Sequence, residues 1–131
     1  MVSVIQQEQI EQLHISPAEC IEWVKQGFLM KDDIQMPAKL SVHPQGEDFI
    51  TSMPCLLSEN EGKKYFGLKL VSRIENHIPA LQSDITLYDA KTGELLAIMD
   101  GNWITAMRTG AVAALAARTF QKQGTNTYSM L

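Results

Sequence analysis

The stretch "SDITLYDAKTGELLAIMDGNWITAMRTGAVAALAARTF", residues 83–120, changes its hydrophobic period once, and that change decides the fold. As far as Asp100 the apolar residues alternate with polar ones, and "DAKTG" carries the residues that reverse a backbone, so residues 84–100 form a β-hairpin. Beyond it the spacing becomes helical. Ala106, Gly110, Ala113, Ala114 and Ala117 recur three and four apart, which lets a backbone or a sheet come close to one face of the helix. Asp100, Gly101 or Asn102 is expected to cap this helix, over roughly residues 102–121, and Gly124 to end it.

Working outward, "AKLSVH", "DFITSMP" and "YFGLKLVS" share the period of two and are separated by "PQGE", "SENEGKK" and "ENHIP". Such short connections favour antiparallel neighbours, because parallel ones need crossovers of about a dozen residues or more. Ahead of the strands, Ser16-Pro17-Ala18-Glu19 is a capping-box start with proline at the first helical position. Ile21, Val24, Phe28 and Leu29 follow at helical spacing and should face a core, in a helix that fades near Met30. "QQEQIEQLHI" fits one or two helical turns, after a short "VSVI" edge. The fold class is therefore α+β, a mostly antiparallel sheet with flanking helices. No repeat or linker divides residues 1–131, which read as one domain. "TNTYSML" turns β-like after Gly124, as expected at a domain boundary in a longer protein.

The 131 residues, 45% hydrophobic and 20% charged, have the balance of a globular protein. A net charge of −4 without any basic run argues against nucleic acid as a partner. The N-terminus lacks the basic start and apolar middle of a signal peptide, and no window approaches a membrane span, so a cytoplasmic protein is expected. Cys20 and Cys55 lie far apart and read as buried thiols, not a redox or metal pair. His14, His43 and His77 show no ligand spacing, and no metal site is expected. Walker loop, dinucleotide fingerprint and nucleophile elbow are all absent from the sequence.

Arg108 is the anomaly of the last helix. Among small apolar neighbours it reads as a buried guanidinium that requires an anion, since an unpaired buried charge costs about several kcal/mol. A ligand carboxylate or phosphate, helped by the nearby helix start, and an internal acid such as Glu47, Asp48 or Asp84 satisfy it equally well. Lys69, in "FGLKLV", is a cation on a strand face it would share with Gly67 and Val71, which fits a functional lysine better than a solvated one. Lys39, at the start of an edge strand, carries less weight, because edge lysines commonly guard against aggregation.

"LAIMDGNWITAMRTGAVAALAARTF", with "MPAKL", "DFITSMP" and "FGLKLVS", resembles the N-terminal half of the ornithine cyclodeaminase and mu-crystallin family, from about Met36 to Phe120. The resemblance implies a substrate-binding and dimerisation domain. The Rossmann domain that holds NAD or NADP in the family would lie beyond this chain, with "TYSML" at the start of its first strand. It also implies that Arg108 binds the substrate carboxylate and that Lys69 reaches the carboxylate or the reacting carbon and assists proton transfer, the catalytic role. Lys39 would be a further carboxylate contact. Thr109 and the segment Ala80-Leu81-Gln82 would touch the cofactor.

Thr51 stands where the cyclodeaminase pattern has a glutamate, and Ala80 replaces a hydroxyl residue. Both departures argue against ornithine cyclisation and leave alanine dehydrogenase and ketimine reductase chemistry open. The implied function is an NAD(P)-dependent enzyme acting on a small amino or imino acid at the carbon next to its carboxylate, as a homodimer, with this chain alone inactive. A mu-crystallin-type binding protein and a purely structural dimerisation domain are the alternatives.

Overall fold

In the computed structural model, which describes residues 1–129, the elements follow the order β1 (Ser3–Ile5), α1 (Gln7–Glu11), α2 (Pro17–Leu29), a 3-10 turn (Lys31–Asp33), β2 (Leu40–Val42), β3 (Phe49–Leu56), β4 (Tyr65–Arg73), β5 (Leu81–Asp89), β6 (Leu95–Asp100) and α3 (Asn102–Phe120). The strands form one six-stranded sheet in the order β1-β6-β5-β4-β3-β2. From β2 to β6 the neighbours are antiparallel, as the short connections require. The "VSVI" edge departs from that meander. It pairs parallel with β6, Ser3 opposite Ala97 and Ile5 opposite Met99, and most of the chain serves as its crossover.

Local chemistry sets the element ends. At α2 the Ser16 hydroxyl accepts from the Glu19 N–H and the Glu19 carboxylate accepts from the Ser16 N–H, with Pro17 in the first turn. In the β5–β6 hairpin the Asp89 carboxylate accepts from the backbone of Lys91 and Thr92, and Gly93 takes a φ of 77°, which a Cβ would penalise. Helix α3 stops at Phe120, short of Gly124, and Gln121 is already extended. No strand follows it among the described residues; Met130 and Leu131, the end of the expected β-like tail, lie outside them.

Pairing opposes residues of like face, so the sheet has two distinct sides. One side carries Thr51 and Met53, Lys69 and Val71, Ser83 and Ile85, then Ala97 and Met99. Helix α3 crosses this side, with Thr105 in contact with both Lys69 and Ser83. The other side bears Leu40, Val42, Leu70, Ile98 and Val4, all exposed. Helix α2 packs on α3, away from the sheet. Ile21 and Val24 are therefore only half-buried, and Phe28 and Leu29, expected in the core, are exposed. The buried apolar residues are Ile10, Cys20, Val71, Ala97 and Ala111.

The β6–α3 corner is held by backbone. Gly101 donates its N–H to the Ser83 carbonyl at 2.8 Å, and the Ser83 N–H is accepted by the Asn102 side chain at 2.8 Å. A Cβ on Gly101 would lie 2.7 Å from Ser83 Oγ and 3.0 Å from the Ser83 carbonyl oxygen, so only glycine fits without displacement. Gly101→Ala is expected to destabilise the protein by about 1–3 kcal/mol, the usual cost of forcing a methyl into a filled site, read as a lower urea midpoint with unchanged slope.

Candidate functional site

Lys69 and Thr105 meet where α3 crosses the sheet, with Arg108 nearby. Lys69 projects from the middle of β4 on the helix-covered side, half-buried, with Nζ 3.5 Å from Thr105 Oγ1. Arg108, one turn beyond Thr105 on α3, is close enough for its charge to act on that ammonium. Burial and then the positive charge of Arg108 hold the Lys69 ammonium below the ordinary lysine value. The solvent-face alternative for Lys69 thus does not apply: period two places it with Val71 under the helix.

Arg108 differs from its sequence reading in one respect. It is exposed, because α3 turns only part of its circumference to the sheet and to α2, and so it escapes the cost of a buried charge. The internal acids offered as its partners are elsewhere. Asp48 is buried and accepts from the Glu75 N–H and the Gln45 amide. Glu47 offers its carbonyl to Arg73. Asp84 pairs with Leu70, one residue out of phase with Lys69, and so lies on the opposite side of the sheet. Among the described residues the salt bridges are Lys25–Glu22 and Lys91–Glu59, both exposed, and neither Lys69 nor Arg108 has a carboxylate within 4.0 Å. Two cations are thus held near each other without a counter-charge.

The helix start contributes less than its sequence suggests. Gly101 is the N-cap and supplies no side-chain bond, while the Asp100 carboxylate accepts the Asn102 N–H at 2.7 Å and places its own negative charge there. An incoming anion would meet that carboxylate, so the cations are the attractive part of the site.

Lys39 is exposed and precedes β2. Leu40 opposes Ser52, so the register carried back by one residue aligns Lys39 with Met53, which in turn opposes Lys69. The two lysines then share a face two strands apart, about 10 Å between backbones, while no direct contact joins them. The cofactor candidates fall together more closely. Leu81 and Thr109 line one groove of about 300 Å³ with Ser83, Asn102, Thr105 and Ala106. Ala80 is next to it, its carbonyl accepting from the Ile74 N–H, and is not part of the lining. The Thr109 hydroxyl is engaged with the Thr105 carbonyl at 2.7 Å.

Sequence reasoning overlooked two hydroxyls. Ser83 is buried, and its Oγ lies 2.8 Å from Thr105 Oγ1. The signal was present in "SDITLYD", where Ser83 has the same parity as Ile85 and Leu87 and so is polar on an apolar face. A larger, nearly all-apolar cavity of about 560 Å³ lies between the helices and β6, lined by Trp23, Val24, Met99, Trp103 and Met107 and with Arg108 at its edge. Lys69 does not line it. No group of three metal-ligating side chains occurs among the described residues, and none of their helices is long and apolar enough to cross a membrane.

Comparison with known proteins agrees with this architecture. The chain is 42% identical over 67 residues to mouse ketimine reductase mu-crystallin, a match covering 48% of this chain and 21% of that protein. It superposes on the structure of an archaeal alanine dehydrogenase dimer with bound NAD at a TM-score of 0.82 and 29% identity, over 94% of this chain and 38% of that one. On Thermococcus litoralis Delta(1)-pyrroline-2-carboxylate reductase in complex with NADH and L-proline the TM-score is 0.81 at 31% identity, over 94% and 39%. The chain thus spans well under half the length of these relatives. Residues 1–131 match the ornithine cyclodeaminase/mu-crystallin family throughout, and the chain belongs to that family.

Proposed function

We propose that this chain is the substrate-binding and dimerisation domain of an NAD(P)-dependent oxidoreductase or cyclodeaminase that acts on a small amino or imino acid at the carbon next to its carboxylate. The observation that carries this reading is the pair Lys69 and Arg108, two cations on one side of the sheet with no acid beside them among the described residues. Like charges kept close without a partner favour an anion. Arg108 presents a planar fork that suits a carboxylate in two-point contact, and its exposure leaves it free to receive one.

Lys69 supplies a second contact and, as the catalytic residue, a proton at the reacting carbon's nitrogen or oxygen; its lowered affinity for that proton suits the task. Lys39 approaches the carboxylate from the edge strand. The groove at Leu81 and Thr109, with Ala80 beside it, is bordered by the Asn102 side chain, by hydroxyls already bonded within the fold and by the small Ala106, and its size fits part of a pyridine nucleotide. When bound, NAD or NADP would exchange hydride with the substrate carbon; this chain's share is to hold the carboxylate so that one face of that carbon is presented. Most of the nucleotide would be held by the Rossmann domain that the family resemblance implies.

Assembly and location belong to the same reading. The exposed side of the sheet, with Leu40, Val42, Leu70 and Ile98, suits a homodimer contact. A cytoplasmic protein accords with the sequence. A second reading, a mu-crystallin-type binding protein without turnover, is favoured by the apolar cavity that reaches Arg108, which has room for a large apolar amino-acid-like ligand.

In the full-length protein, Arg108→Ala should lower kcat/KM for imino-acid reduction about ten- to a hundredfold, as expected for one charge-assisted contact. The assay is NADH or NADPH consumption with small cyclic imino acids. Ligand binding without consumption by the parent protein would favour the carrier, and kinetics unchanged by the substitution would remove Arg108 from the site.

The Lys69 ammonium should also leave a mark on pH dependence. Its folded-state value lies below the unfolded one, so between the two the unfolded chain binds more protons and stability rises with pH. Urea midpoints should therefore climb on approaching the lysine range, and Lys69→Met should flatten that climb. Carboxylate affinity should fall over the same range as Lys69 loses its charge.

A further inference from the structure

We propose that Thr105, held in turn by Ser83, is the positioning residue for Lys69, fixing its ammonium under α3 near Arg108 and beside the groove at Leu81 and Thr109. This rests on the catalytic reading of Lys69 given above. An ammonium has donors only, so at the 3.5 Å contact Lys69 donates and Thr105 Oγ1 accepts. The Thr105 proton is then free for Ser83 Oγ at 2.8 Å. Ser83 is 4% exposed, and its own backbone is locked at both ends, by Asn102 at its N–H and by Gly101 at its carbonyl. Thr105 sits one turn into α3, with its N–H bonded to the Gly101 carbonyl.

The chain of contacts therefore runs from a rigid backbone corner to a flexible lysine head. A lysine tip on a four-carbon stem has no preferred direction of its own, and without an acceptor it would swing away from Arg108 toward water. Ser83 and Thr105 both line the groove of about 300 Å³, so the same hydroxyls that hold the ammonium border the space assigned to the cofactor. The ionisable groups that share this side with Lys69 are Tyr65 and Arg73 along β4, Cys55 on β3, Asp89 at the end of β5, Lys39 ahead of β2, His43 just after it and Arg108 on α3. Asp89 is at the far end of β5, opposite Tyr65. Thr105 is the acceptor at Lys69 itself.

The test is made in the full-length protein. Thr105→Val removes the acceptor at nearly constant volume, Thr105→Ser returns it, and Ser83→Ala removes only the support. Lys69 titration is followed through the pH dependence of its acetylation by acetic anhydride, quantified peptide by peptide, which needs neither substrate nor nucleotide. Loss of the acceptor should lower the Lys69 value further, seen as severalfold faster acetylation at neutral pH. Thr105→Ser should restore the parent curve, Ser83→Ala should shift it part of the way, and Lys25 and Lys64 should react as before. A Lys69 curve unmoved in Thr105→Val overturns the proposal; if that variant fails to fold, an unmoved curve in Ser83→Ala does so. Protection of Lys69 by L-proline with NADH is read separately: a shifted curve without protection keeps the hydroxyl pair and discards the carboxylate site.

Discussion

The site depends on one close approach, that of the β6–α3 corner to Ser83. Gly101 and Asn102 both bond to the Ser83 backbone, and the missing Cβ of Gly101 makes room for it. Because a helix is rigid over a few turns, anchoring its first residues also places Thr105, one turn in, against Lys69 of β4 and fixes where Arg108 stands a turn further on. The face of α3 that is turned to solvent and the face turned to Lys69 are thus decided at the corner. Further along the helix Ala111 is buried where α2 lies against α3, whereas Ala106, Gly110 and Ala113 of the expected close-packing face are exposed.

Electrostatics and packing divide the work. Burial and Arg108 both disfavour the charged form of Lys69, and a single hydroxyl contact opposes them. Asp48 shows the contrary case in the same chain: a buried carboxylate with a backbone N–H and an amide on it has its needs met internally.

Much of this was legible in residue order. The period of two from Phe49 to Asp100 and the capping box at Ser16 announce the meander and α2, and both are observed. Lys69 betrayed itself by parity, being charged in phase with Val71. Arg108 was noticed for a reason that does not hold, burial, since composition of a helix tells which residues are small and not which side is covered. Phe28 and Leu29 failed likewise: periodicity identified a stripe, yet α2 spends its contact on α3. Ser83 and Thr105 went unremarked because a hydroxyl gains meaning only from its neighbour in space, and theirs lie across the fold. The parallel pairing of "SVI" had no local signal, as strand direction depends on the path of everything between.

That pairing has a consequence for how the protein reaches its native state. The first strand completes the sheet only beside β6, which leads directly into α3, so the edge at Ser3–Ile5 cannot close until β6 has been synthesised. Contacts between such distant positions raise the entropic barrier to folding and slow it. During synthesis the β2–β5 meander is free to form early, with both faces open, while the edge beside Met99 waits for a segment made long before. The N-terminus is thus the slow partner in an otherwise local assembly.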